Sequence, residues 1–351
     1  MRKFGMLFSL LTIMLWTVSC FASDVYEPQE GIWKAKDFKF HSGEVFPELN
    51  IGYTTLGNPA GEPVLILHGT TGTGKGMLNP AFGGELFGPG QVLDADKYYI
   101  ILTDAIGTGR SSKPSDGLKA HFPNYNYDDM VQAQYRLVTE GLGIKHLRAI
   151  IGFSMGGMQT WLWGIEHPKF MDAIVPMASL PTAMSGRNWI TRKFISDSIR
   201  LDPAWKDGNY AEQPKSAQFA SIYYNFATNL GTQALAAKAP TSEAGNAMIE
   251  KAFAAPFALD ANDMLYQWES SADYNPVDLE AIEAYVLCIN AADDERNPVE
   301  LKVMEKAGKR IAHCQEFLIP GSAETSGHAT TANAKWWKDA FAEFIKTVPH
   351  K

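Results

Sequence analysis

The chain has 351 residues, of which 46% are hydrophobic and 20% charged, and a formal net charge of −8. These proportions suit a soluble globular protein and exclude disordered, fibrous and collagen-like chains. The acidic balance, with no basic tract, also argues against nucleic acid or an anionic membrane surface as a stable partner.

At the N-terminus, Arg2 and Lys3 precede an uncharged apolar run from Phe4 to Val18, and Cys20-Phe21-Ala22 follows as a cleavage region. The run is shorter than the ~20 residues a membrane-spanning helix needs. Residues 1–22 are therefore expected to be an export signal rather than a retained anchor, giving a periplasmic or secreted mature chain. Its balance would be 29 Lys and Arg against 39 Asp and Glu, formally −10. Cys20 would leave with the signal. Cys288 and Cys314 lie in apolar strand-like segments and read as buried small side chains rather than a disulfide. Neither CxxC nor HExxH occurs, so no metal site is expected.

Residues 37–57 alternate and break at Ser42-Gly43, as a hairpin does. Short apolar runs follow: PVLILH (63–68), YYIILTD (98–104), RAIIGF (148–153), DAIVPMAS (172–179), AYVLCIN (284–290) and CQEFLIP (314–320). Continuous apolar strands separated by helical patterns at 128–143, 154–167, 298–310 and 331–348 predict a doubly wound, mostly parallel sheet. About a hundred helix-patterned, aromatic-rich residues interrupt this alternation. They predict a helical cap over 181–274, inserted into a core of 23–180 and 275–351. Most of the cap's aromatics are expected to form its own small core.

Gly152-Phe153-Ser154-Met155-Gly156 is G-x-S-x-G, placed between an apolar strand and a helical pattern. A strand-to-helix turn this sharp needs flanking glycines, and it lifts the serine to a helix N-terminus that favours developing negative charge. The context predicts the α/β-hydrolase fold, with Ser154 as nucleophile. A serine needs a base, and the base an orienting acid, in chain order Ser, acid, His. Among Asp293, Asp294 and Glu295, Asp294 is chosen because the acid loop closes at Pro298. Asp293 is the runner-up, and Glu295 is expected to face solvent. His328, just before the last helix, is the base. The turn Leu67-His68-Gly69-Thr70-Thr71-Gly72 would supply one oxyanion-hole amide from Thr70, with Met155 giving the second. Gly69-x4-Gly74-Lys75 imitates a phosphate-binding loop, but Gly76 stands where a Ser or Thr must hold magnesium.

Residues 122–168, with the SMGGMQ segment, and IRLDPAWKDGNY (199–210) resemble the homoserine O-acetyltransferase family of α/β-hydrolase-fold proteins. The resemblance implies a helical cap over Ser154, Asp294 and His328. Three departures turn the expectation toward hydrolysis. Ser196 replaces an arginine usual in the family, TDAIGTGRSSKPS (103–115) looks like a general hydrolase turn, and export removes the chain from acetyl-CoA. The expectation is a serine hydrolase of the carboxylic-ester type, acting on a small acyl substrate through an acyl-serine without cofactor or metal. A CoA-dependent or other acyltransferase is the alternative, and a homodimer is left open.

Overall fold

The computed structural model describes residues 27–351; the export-signal expectation lies outside them. Eight strands form one sheet: β1 (Gln29–Lys39), β2 (Val45–Gly57), β3 (Glu62–Leu67), β4 (Tyr98–Thr103), β5 (Leu147–Phe153), β6 (Met171–Met177), β7 (Tyr285–Ala291) and β8 (Cys314–Ile319). Their order is β1-β2-β4-β3-β5-β6-β7-β8. The first two pairings, β1 with β2 and β2 with β4, are antiparallel, and all others are parallel.

Side-chain alternation divides the apolar strands between two cores. Leu65, Leu67, Ile101 and Ile150 face one side, where they meet Met130, Trp161 and Trp163. Val64, Ile66, Ile100, Leu102, Ala149 and Ile151 face the other, against Phe82, Trp337, Phe341 and Phe344. Burial on both faces is why these runs lack polar alternation. Each such side chain contributes roughly 1.5–3 kcal/mol on leaving water. β8 differs: Gln315 and Glu316 are exposed because it is the sheet's outer edge.

Local signals set the helix boundaries. Asn126 accepts from the Asp129 amide and Asp129 caps back onto the Asn126 amide, which starts the helix Tyr127–Arg136. The helix expected over 298–310 shrinks to Val303–Ala307 with short 3-10 turns around it. Likewise, 331–348 is 3-10 turns followed by the helix Lys338–Thr347. Cys288 and Cys314 carry free thiols.

Between β6 and β7 come five helices: Gly186–Arg200, Lys215–Thr228, Thr232–Lys238, Ser242–Ala254 and Ala261–Glu269. Three of them, Gly186–Arg200, Lys215–Thr228 and Ala261–Glu269, share a third core that includes Ile195, Ile199, Tyr224, Leu265 and Trp268, joined by Trp205. Phe219 and Tyr223 instead point outward, each about 60% exposed. Among the described residues, no helix is long and apolar enough to cross a membrane.

Candidate active site

β5 ends at Phe153 and the helix Met155–Glu166 begins two residues later, so Ser154 carries the whole reversal of direction. Its backbone sits at φ 54°, ψ −111°. Strain of this kind costs about 1–3 kcal/mol and persists only where the surroundings enforce it. Here the Ser154 amide donates to Met177 O at 2.9 Å and the Gly156 amide to His68 O at 3.0 Å, tying the turn to both flanking strands. The two glycines are sterically required. A Cβ at Gly152 would stand 2.1 Å from Gly156 O, and one at Gly156 would stand 2.3 Å from Leu67 O.

Three side chains from distant points of the chain meet at this turn. His328, in the 3-10 turn Gly327–Ala332, lies with Nε2 2.7 Å from Ser154 Oγ and Nδ1 2.8 Å from Asp294 Oδ2. The ring takes the tautomer in which Nδ1–H donates to the carboxylate, leaving Nε2 to accept from the serine hydroxyl. The loop after β7 holds Asp294 in place. Its Oδ1 accepts from the Arg296 amide at 2.8 Å, and its Oδ2 accepts from Asn297 Nδ2 at 2.9 Å. Burial alone would raise the Asp294 pKa, but His328 and these hydrogen bonds hold it below the ordinary carboxylate value. Burial, reinforced by the positive charge of Arg296, lowers the His328 pKa to about 4, against the opposing pull of Asp294. The imidazole is therefore neutral at neutral pH.

The turn after β3 packs directly on the serine: a Cβ at Gly69 would be 3.5 Å from Ser154 Cβ. His68 fixes this turn, with Nδ1–H donating to Gly69 O at 2.7 Å and Nε2 accepting from the Ala105 amide at 3.0 Å. Thr70 lies in the turn beside the serine, and Met155 is the first residue of the serine's helix. Thr70 Oγ1 is buried without a partner.

Asp293 does not reach the imidazole. Its Oδ2 accepts from Thr325 Oγ1 at 2.7 Å and, at 3.4 Å, from the Gly327 amide, so it braces the loop that delivers His328. Glu295 pairs with Arg187 of the first cap helix and is half-buried, not fully solvated. Sequence reasoning missed Asn297, which joins Asp294 to Ala178 O at 2.9 Å. It also missed Gln267, a buried cap residue whose Nε2 donates to Ile106 O and whose Oε1 accepts weakly from the Thr71 amide at 3.4 Å. Asn297 could have been suspected from its place three residues after the acid; nothing local marks Gln267.

Ser154 and His328 are each 2% exposed beneath the cap. Beside the Thr71 turn, where core and cap meet, a cleft of about 290 Å³ opens, lined among others by Gly107, Lys113, Asp263 and Gln267.

The family described as alpha/beta hydrolase fold matches residues 62–320. Homoserine O-acetyltransferase of Methanohalophilus mahii is 36% identical over 198 residues, 51% of this chain and 40% of that protein. The Pelobacter propionicus homoserine O-acetyltransferase is 32% identical over 231 residues, 60% of this chain and 61% of the relative. The chain thus matches less than two thirds of the length of these relatives. Among solved structures, Bacillus anthracis homoserine O-acetyltransferase superposes with a TM-score of 0.77 at 21% identity, covering 93% of this chain and 99% of that one. A Corynebacterium glutamicum acetylester hydrolase gives 0.76 at 19% identity, covering 92% and 96%. These two structural likenesses bear on the fold. The chain belongs to the alpha/beta hydrolase fold family, as an enzyme of that class similar to homoserine O-acetyltransferases.

Proposed function

We propose that this protein transfers an acyl group through a covalent acyl-Ser154 intermediate, with an alcohol as acceptor and water as its competitor. The observation that carries this reading is the unbroken chain from Ser154 Oγ to His328 to Asp294, with both links at 2.7–2.8 Å. His328 Nε2 takes the hydroxyl proton as Oγ attacks the acyl carbon, then returns it to the departing group. Asp294 holds the ring's tautomer and stabilises the transient imidazolium. The amides of Thr70 and Met155 hold the oxyanion, each such donor contributing about 3–4 kcal/mol. The acyl-enzyme is then opened by the acceptor, with His328 again as base. The cleft at Thr71, the residue next to Thr70, is the entry we assign to substrate.

Transfer is preferred to hydrolysis because the curated relatives are homoserine O-acetyltransferases. Ester hydrolysis is the second reading, favoured by the N-terminal run of the sequence: an exported chain would meet water far more often than a cytosolic thioester. On either reading the small acyl substrate needs no bound metal.

Replacing Ser154 by Ala is expected to lower kcat on activated esters by on the order of 10⁴ or more, and to abolish labelling by a fluorophosphonate probe. Near-full turnover in that variant would refute the assignment. Supplying wild-type protein with an acyl ester and graded concentrations of alcohols separates the two readings. Saturable formation of the new ester supports transfer, and release of free acid at an unchanged rate supports hydrolysis.

A further inference from the structure

Two side chains fix the peptide groups on either side of Thr70, the residue whose amide is assigned to the oxyanion. From the core, His68 Nδ1–H donates to Gly69 O at 2.7 Å. A peptide group is planar and trans, so holding that carbonyl also aims the Thr70 N–H, which lies in the same plane. From the cap, Gln267 Oε1 accepts from the Thr71 amide at 3.4 Å and so holds the next peptide plane. Both side chains reach on to consecutive residues of the loop after β4. His68 Nε2 accepts from the Ala105 amide at 3.0 Å, and Gln267 Nε2 donates to Ile106 O at 2.5 Å. The turn after β3 is thus joined to the loop after β4 by two rungs, with Thr70 between them.

One rung belongs to the core, while the other arrives on the cap helix Ala261–Glu269, 196 residues along the chain from Thr71. Among the described residues, it is the only hydrogen bond from the cap to the turn 68–74. Thr71 needs a hold of this kind. Its φ of 61° lies in the left-handed region, which a β-branched residue keeps only when its surroundings enforce it. The loop after β4 is shaped to admit the amide: a Cβ at Gly107 would stand 3.0 Å from Gln267 Nε2. Gln267 is 0% exposed, and an aliphatic side chain could fill that space without the cost of burying an amide. Its polarity serves these two bonds.

We propose that Gln267 is a positioning residue, through which the seated cap sets the oxyanion hole and makes Ser154 fully reactive. The inference rests on the acyl-serine reading. Thr71, Gly107 and Gln267 also line the cleft, so a group bound there bears on the same peptides that hold the oxyanion.

Wild type, Gln267→Met and Gln267→Glu are compared on an activated ester and with an alkyl trifluoromethyl ketone, which adds to a reactive serine and leaves an oxyanion in the hole. Gln267→Met, matched in length, is expected to lower kcat about 10- to 100-fold, below the roughly 10²–10³ of a deleted oxyanion donor. KM should change less than about threefold, and ketone affinity should fall by about the factor lost in kcat. Burial keeps the glutamate carboxyl protonated at pH 5, where its carbonyl accepts from Thr71 and its O–H donates to Ile106 O as glutamine does. Gln267→Glu should therefore recover most of the loss at pH 5. A kcat within threefold of wild type in Gln267→Met, a defect confined to KM, unchanged ketone affinity, or no recovery in Gln267→Glu overturns the proposal. Should Gln267→Met fail to fold, Gln267→Glu decides alone. Relative to wild type, its ketone affinity should fall tenfold or more between pH 5 and pH 9, as the ionised carboxylate repels Ile106 O, and a flat ratio refutes the assignment. No fluorophosphonate labelling of wild type would bring down the acyl-serine reading itself, whereas labelling with an unimpaired Gln267→Met brings down this inference alone.

Discussion

The protonation state of His328 offers a sharp test, because its surroundings pull in opposite directions. Burial and the charges of Arg296 and Arg192 oppose protonation, while Asp294 favours it, and the outcome is a pKa of about 4 against the ordinary 6.5. That difference corresponds to roughly 3 kcal/mol disfavouring the imidazolium. At pH 5.5 an ordinary histidine is about nine-tenths protonated and useless as a base, whereas His328 would remain almost wholly neutral. The acid limb of kcat/KM for a neutral ester should therefore fall near pH 4 to 5. Arg296→Met, which removes an opposing cation, should move it upward. The same shift affects stability. The unfolded chain takes up its proton near 6.5 and the folded chain only near 4. The contribution is thus fully present above pH 6.5 and is lost as pH falls toward 4, by roughly 3 kcal/mol. The assay is initial-rate kinetics between pH 3.5 and 8, with circular dichroism at each point to separate protonation from unfolding. An inflection at or above 6.5 in folded protein would show that burial and the arginines do not control the base.

The remaining expectations address the turn and the loops. Gly156→Ala places a methyl group 2.3 Å from Leu67 O and should destabilise the fold by several kcal/mol or cost most activity, seen in thermal melts and turnover. A variant that melts like wild type would show that the turn relaxes more freely than its packing implies. Asp293→Ala should lower kcat about tenfold or more by freeing the Gly327 loop, with KM little changed, whereas Asp293→Asn, still an acceptor for Thr325 and Gly327, should recover most of the loss. Equal defects in both would mean that the charge, not the brace, is what matters.

Much of the framework was legible in the sequence because it rests on local rules. Strands buried on both faces must be apolar throughout, so β3 to β7 stood out as runs such as PVLIL and AIIG. The turn at Ser154 needs glycine on both sides for reasons confined to its own few residues. The order serine, acid, histidine, with a loop closing at Pro298 to choose among three acids, then pointed to Ser154, Asp294 and His328, which the fold brings within hydrogen-bonding distance. Less regular segments were read too generously: helical periodicity over 298–310 yielded only one short helix between 3-10 turns.

What the sequence could not decide is where charges end up once distant segments are buried together. Pro298 singled out Asp294 over its chemically identical neighbour, but nothing in the sequence showed that Asp293 would turn to Thr325 and brace the loop that carries His328. Arg192 and Arg296, a hundred residues apart, gave no hint that both would be buried in neutral surroundings around Tyr224 and Trp268. The physical reason is one of range. Turns and strand burial depend on residues adjacent in the chain, while the cost of a buried charge depends on every group that surrounds it in three dimensions.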